Sequence, residues 1–154
     1  MFGMADGDPA SGLWNWALGN RIDPDRVRGA LAGTLDRSVV PLGDHGAILC
    51  DVYHVGGDFP TLVDVFLAPA GVAEATAASA VSVRLGEAVL LPDDTLDPTR
   101  YVLAEPDGTL RLVHVDEIET DDGTERRNVR PCTGHDPGCG GAGPGGKQYP
   151  GQLP

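Results

Sequence analysis

From Pro131 to Pro154 the chain holds eight glycines and five prolines, so more than half of that stretch favours neither helix nor strand. Any packed core must therefore be built from about 120 residues upstream of it, which is enough for one domain and too little for two. The remaining composition, 41% hydrophobic and 22% charged, is that of ordinary globular chains and excludes a wholly disordered chain or a coiled coil. Residues 1–11 read as a flexible arm, 12–118 as a single domain, and 119–154 as an acidic linker running into a disordered Gly/Pro-rich tail. There is no run of 18 apolar residues, and Met1 to Ala10 carry Asp6 and Asp8 with no basic or apolar segment behind them, so the expectation is a cytoplasmic chain with no membrane contact.

Local patterns define the elements. Leu13, Trp14, Trp16 and Leu18 form a cluster too apolar to be left in water and are expected to dock on the domain. Asp23-Pro24 sets a capping acid before a proline at the first helical position, and Val27, Leu31 and Leu35 follow on one face, which predicts a helix over 24–35. AILCDVYH (47–54) and TLVDVFLA (61–68) are rich in β-formers and flank a Gly56-Gly57-Asp58 turn, predicting an antiparallel pair with Asp51 and Asp64 on its solvent side. The segment 69–85 is ambiguous: Ala73 to Ala80 favours helix, whereas Val81 to Leu85 alternates like a strand. Helix is the reading adopted, ended by Gly86, with Val72, Ala75/Thr76, Ser79/Ala80 and Val83 as its core stripe. Glu87 to Leu91 reads as a short strand, and 99–105 and 109–115 as a hairpin about Pro106-Asp107-Gly108. The expected fold is α+β, a small, mostly antiparallel sheet of about five strands with two helices packed on one face. After Asp116 no structure is assigned.

Charge narrows the function. The formal net charge is −12, and between Asp93 and Glu125 there are 11 acidic residues against only Arg100 and Arg111, a local net of −9. Such a surface repels phosphate backbones, so nucleic acid is not an expected partner, whereas a basic protein is. The loop Pro92-Asp93-Asp94-Thr95-Leu96-Asp97-Pro98, with Arg100 and Tyr101 directly after it, combines charge, stiffness and residue types enriched at interface centres. Asp93, Asp94, Asp97, Arg100 and Tyr101 are accordingly the first candidate partner-binding residues. Asp116, Glu117 and Glu119, continued by Asp121 and Asp122, form a second patch.

Catalytic chemistry has little local support. The patterns GxSxG, GxxxxGK[ST] and HExxH do not occur, so no serine elbow, phosphate loop of that type or zincin site is expected. His54 or His114 beside a carboxylate such as Asp51 or Asp58 would be needed for general acid/base work. Cys132, His135 and Cys139 offer three zinc-type ligands in a tight spacing but no fourth, and Cys50 falls in a predicted core strand. No cofactor is therefore expected. A ligand pocket using a His/carboxylate pair and a zinc module on the Cys/His cluster stand as alternatives.

The stretch GEAVLLPDDTLDPTRYVLAEPDGT (86–109), with its strand, DD-x-x-x-P loop and PDG hairpin, resembles the small acidic immunity proteins encoded beside bacterial polymorphic or contact-dependent toxins. The resemblance implies a stoichiometric, non-enzymatic inhibitor whose acidic face covers the basic cleft of a toxin, often a nuclease.

Overall fold

The computed structural model describes residues 12–93 and 100–132. It is an α+β fold with two helices and one mixed sheet. In chain order the elements are β1 (Gly12–Leu18), α1 (Pro24–Leu35), β2 (Val39–Val40), β3 (Ile48–His54), β4 (Thr61–Ala68), α2 (Glu74–Leu85), β5 (Val89–Pro92), β6 (Arg100–Ala104), β7 (Leu110–Thr120) and β8 (Gly123–Pro131). The eight strands lie in the order β2-β3-β4-β1-β5-β6-β7-β8, antiparallel throughout except for the short parallel pair β2/β3.

The count of five strands is thus corrected to eight by three additions, the smallest being the two-residue β2, which pairs parallel with the start of β3. The first addition is the Leu13–Leu18 cluster, which becomes the central strand β1, paired with β4 along its length and with β5 at Ala17 and Leu18. Trp14 and Trp16 both project from it into the core and stack at 5.4 Å, and Trp16 Nε1 donates to Glu74 Oε2 at 3.0 Å. The second is the region after Asp116: β7 continues to Thr120 and β8 returns to Pro131, so residues 119–131 belong to the sheet and not to a linker. The reading of an N-terminal arm and a terminal tail falls on residues outside the described ones.

The helices form for the local reasons the sequence offers. Asp23 caps α1, its carboxylate accepting from Asp25 N at 3.0 Å, and Val27, Leu31 and Leu35 are buried. Val81 to Leu85 is helical, and Gly86 closes α2 at φ 69°, where a residue with a Cβ would be strained. The expected stripe on α2 is corrected: Ala77, Ala78, Val81, Ser82 and Leu85 are buried, while Val83 is 54% exposed. Placing Val81 and Leu85 together inward removes more apolar surface from water than placing Val83 there.

Alternation along the strands divides the sheet into two faces. On one, Leu18, Cys50, Val63, Val65, Val89 and Val102 join α1 and α2 in the main core. On the other, Ala17, Leu62, Leu90, Tyr101, Val113 and Val115 make a second core with Val55 and Phe59. The β7–β8 hairpin curls over this second face and reaches the β3–β4 turn: Gly57 bridges Arg126, Asp58 N donates to Arg126 O at 2.8 Å, and Asn128 N donates to Asp58 Oδ2 at 3.0 Å. Asp51 and Asp64 sit opposite one another on this same second face, half-buried, at the stretch the hairpin core does not include.

Candidate protein-docking surface

The outer half of the β7–β8 hairpin carries the exposed acid. Thr120 pairs with Gly123, so Asp121 and Asp122 form a two-residue turn at the tip. Thr120 Oγ1 donates to Gly123 O at 2.7 Å and accepts from Asp122 N at 3.2 Å, which holds the tip in one conformation. Residues Asp116 through Asp122 are all exposed, and Ile118 among them is 44% exposed.

Most of the hairpin's carboxylates are engaged, either within it or by Tyr101 at its root. Asp116 accepts from Asn128 Nδ2 at 2.9 Å and pairs with Arg130 at 3.1 Å, and the Asn128 bond, together with that cation, holds its carboxyl below the ordinary range. Glu119 accepts from Thr124 Oγ1 at 2.8 Å, and Glu125 pairs with Arg127 at 2.7 Å. Glu117 accepts from the Tyr101 hydroxyl, whose oxygen in turn accepts from Arg126 Nε at 3.2 Å with the guanidinium 5.6 Å from the ring centroid. Burial pushes the Tyr101 phenol up, and its bond to Glu117 acts in the same direction. In contrast, the Asp121 and Asp122 carboxylates at the tip engage no protein group.

The two patches expected from sequence come apart. Asp116, Glu117 and Glu119 lie on the exposed hairpin. Asp93 and Arg100 are interior: their side chains are 0% and 1% exposed, and Arg100 Nε lies 2.8 Å from Asp93 Oδ2, within ion-pair distance though misaligned for a hydrogen bond. Both extend the helix-covered face, since Arg100 is two residues from Val102, and its cross-strand neighbour His114 is buried beside it. Tyr101, pointing to the opposite face, is a buried root for the hairpin and not an exposed contact. The side chains of Asp93, Arg100 and Tyr101 are therefore withdrawn from the surface a partner would meet, because the strand and its continuation place them in the two cores. Asp94 and Asp97 lie outside the described residues, as do His135 and Cys139.

The other chemical candidates also find places. His54 Nε2 lies 3.0 Å from Ile22 O, tying β3 to the start of α1. Cys50 is fully buried, and desolvation pushes its thiol up to about 12. Cys132 is half-buried at the end of β8, its N–H donating to Leu112 O at 3.0 Å, and among the described residues no three His, Cys, Asp or Glu side chains converge as a metal site. No helix among the described residues is long and apolar enough to cross a membrane. Of Gly57, Asp58 and Arg126, which clamp the hairpin, the sequence marks the first two only as a turn, with Asp58 also a candidate acid/base carboxylate, and does not mark Arg126. The Asp122-Gly123 dipeptide was the signal that could have found them, since it marks a tight hairpin and implies a returning strand. Compared with known proteins, the chain matches no family model, no curated protein and no solved structure.

Proposed function

We propose that the domain is a non-catalytic protein-binding module that engages a basic partner through the tip of the β7–β8 hairpin, in its sharpest form as an immunity-type inhibitor that covers the basic cleft of a toxin. The observation that carries the reading is the tip itself: Asp121 and Asp122 present unengaged carboxylates beside the exposed Ile118, on a hairpin whose root is clamped by Tyr101, Arg126 and Asp58. A clamped hairpin loses little conformational freedom on binding, and acidic charge at its end speeds encounter with a basic surface while rejecting acidic ones.

The test is capture of partners from native lysate on tagged protein, at low and at high salt, with the wild type and with Asp121→Lys/Asp122→Lys. A basic protein retained by the wild type, released by salt and not retained by the double variant supports the reading, and inhibition of that protein's activity by the purified domain supports its sharper form. Equal retention by the double variant would remove the hairpin tip from the interaction.

A further inference from the structure

The end of β3 and β4 remote from the hairpin holds a cleft of about 330 Å3. It opens between the segment leaving α1 and the turn leading into α2, and its walls are Arg37, Ala47, Ile48, Leu67 and the turn at 69–71. Two features of it are unexplained by the fold. The first is Arg37. Every other arginine among the described residues donates to a backbone carbonyl or the Tyr101 hydroxyl or lies within ion-pair distance of a carboxylate, whereas Arg37, in a chain of net charge −12, has no such partner. Its backbone position is nonetheless fixed, since the adjacent Ser38 accepts from Ala47 N through Oγ at 3.0 Å and from Ile48 N through its carbonyl at 3.1 Å.

The second is Leu67. The register shift between β1 and β4 leaves it as the unpaired residue of a bulge, at φ 63°, a left-handed conformation that glycine or asparagine would adopt without strain. The side chain that bears this strain is 39% exposed and forms part of the cleft wall. Strain retained at an exposed leucine points to a use for that side chain outside the fold.

We infer that this cleft binds a small monocarboxylate, its carboxylate paired with the Arg37 guanidinium and its aliphatic or aromatic body lying against Leu67, Ala47 and Ile48. Guanidinium and carboxylate match as a planar two-point pair, and an apolar wall beside them suits an amphiphile better than an inorganic anion. The strongly negative field of the chain penalises a monoanion least. The volume is about twice the 150 Å3 that accommodates benzene, which sets the ligand at one ring or a short branched chain beyond the carboxylate. The site is separate from the hairpin and stands or falls without it.

The test is a titration of the 15N-labelled full chain with 3-phenylpropionate and with 4-methylpentanoate, followed by amide chemical shifts, with 3-phenylpropionamide as the neutral control. Saturable shifts centred on residues 37, 47, 48, 67, 70 and 71 are expected with the carboxylates and not with the amide. Arg37→Gln, which disturbs no bond of the fold, is expected to weaken the affinity about tenfold or more. Leu67→Gly is expected to keep the native spectrum and weaken binding as well. Equal shifts with the neutral amide, unchanged affinity in Arg37→Gln, or no cleft shifts with either carboxylate up to about 20 mM would overturn the inference.

Discussion

The two faces of the sheet are covered by different means. On one, two helices lay apolar stripes over the strands and the core closes chiefly by burial. On the other, a long hairpin from the same sheet folds back, and its closure depends on a few polar and backbone contacts: Gly57 with Arg126, Asp58 with Asn128, and Tyr101 with Glu117 and Arg126. The difference teaches how a small chain covers one sheet face without spending the exposed end of the covering hairpin on burial. The helix-covered core supplies bulk stability, while the hairpin-covered core positions an exposed acidic tip whose own residues contribute little to burial.

The comparison is broken most severely from the helix-covered side. Arg100→Met leaves Asp93 buried without its cation and is expected to cost about 3–5 kcal/mol in urea unfolding, whereas Asp93→Leu/Arg100→Met recovers most of that loss. A single-variant loss below about 1 kcal/mol would show that the pair is hydrated and not part of that core.

A smaller, local effect is expected at the clamp. Gly57 has φ 89°, and a Cβ there would lie 2.9 Å from Arg126 O, so Gly57→Ala is expected to cost about 1–3 kcal/mol. Amide exchange should accelerate in residues 116–128 with α1 and α2 unchanged; a uniform acceleration would mean the two cores open as one unit. Tyr101→Phe keeps the ring buried but removes the hydroxyl between Glu117 and Arg126, with an expected loss of about 1 kcal/mol by the same urea measurement. Amide exchange in the hairpin should accelerate with it, and unchanged exchange protection there would separate the clamp from that hydroxyl.

The last effect is absent at neutral pH. The Cys50 thiol is raised from 9.0 to about 12 by burial, and the Tyr101 phenol is raised as well. A raised acid keeps its proton in the folded state while the unfolded chain ionises. The stability these groups contribute is therefore complete below pH 9 and is lost as the pH climbs toward 12. Cys50→Ala should make the alkaline loss shallower from pH 9 upward in thermal melts, and an unchanged profile would assign that loss to tyrosine alone.

Much of the first core was legible. The Asp23-Pro24 start, the Val27/Leu31/Leu35 face and the Gly86 stop are local signals, and α1 and α2 end where those signals end. The strands at 48–54, 61–68 and 100–104 also fall where β-formers and turn residues set them. The second core was not legible, because β8 is polar on both sides: GTERRNVRP has no apolar alternation, and its pairing is specified by β7 and by the distant Gly57–Asp58 turn. The candidate surface was half legible for the same reason. Acid clustering located Asp116 to Asp122, but it ranked Asp93, Arg100 and Tyr101 with them, and charge counted along a chain does not tell which side of a strand a residue takes.

The sequence by itself determined the α+β class, α1 with both its ends, the stop of α2 at Gly86, and the concentration of negative charge late in the domain, all of which follow from short-range periodicity, capping chemistry and composition. Only the tertiary structure decided that the tryptophan segment is the central strand, that Asp93 and Arg100 are a buried pair, that Arg37 is left facing a cleft, and that the acidic run ends in a clamped hairpin. Those outcomes rest on pairings between strands, and a pleated strand sends alternate side chains to opposite faces, so each was fixed by which neighbours the sheet brought alongside.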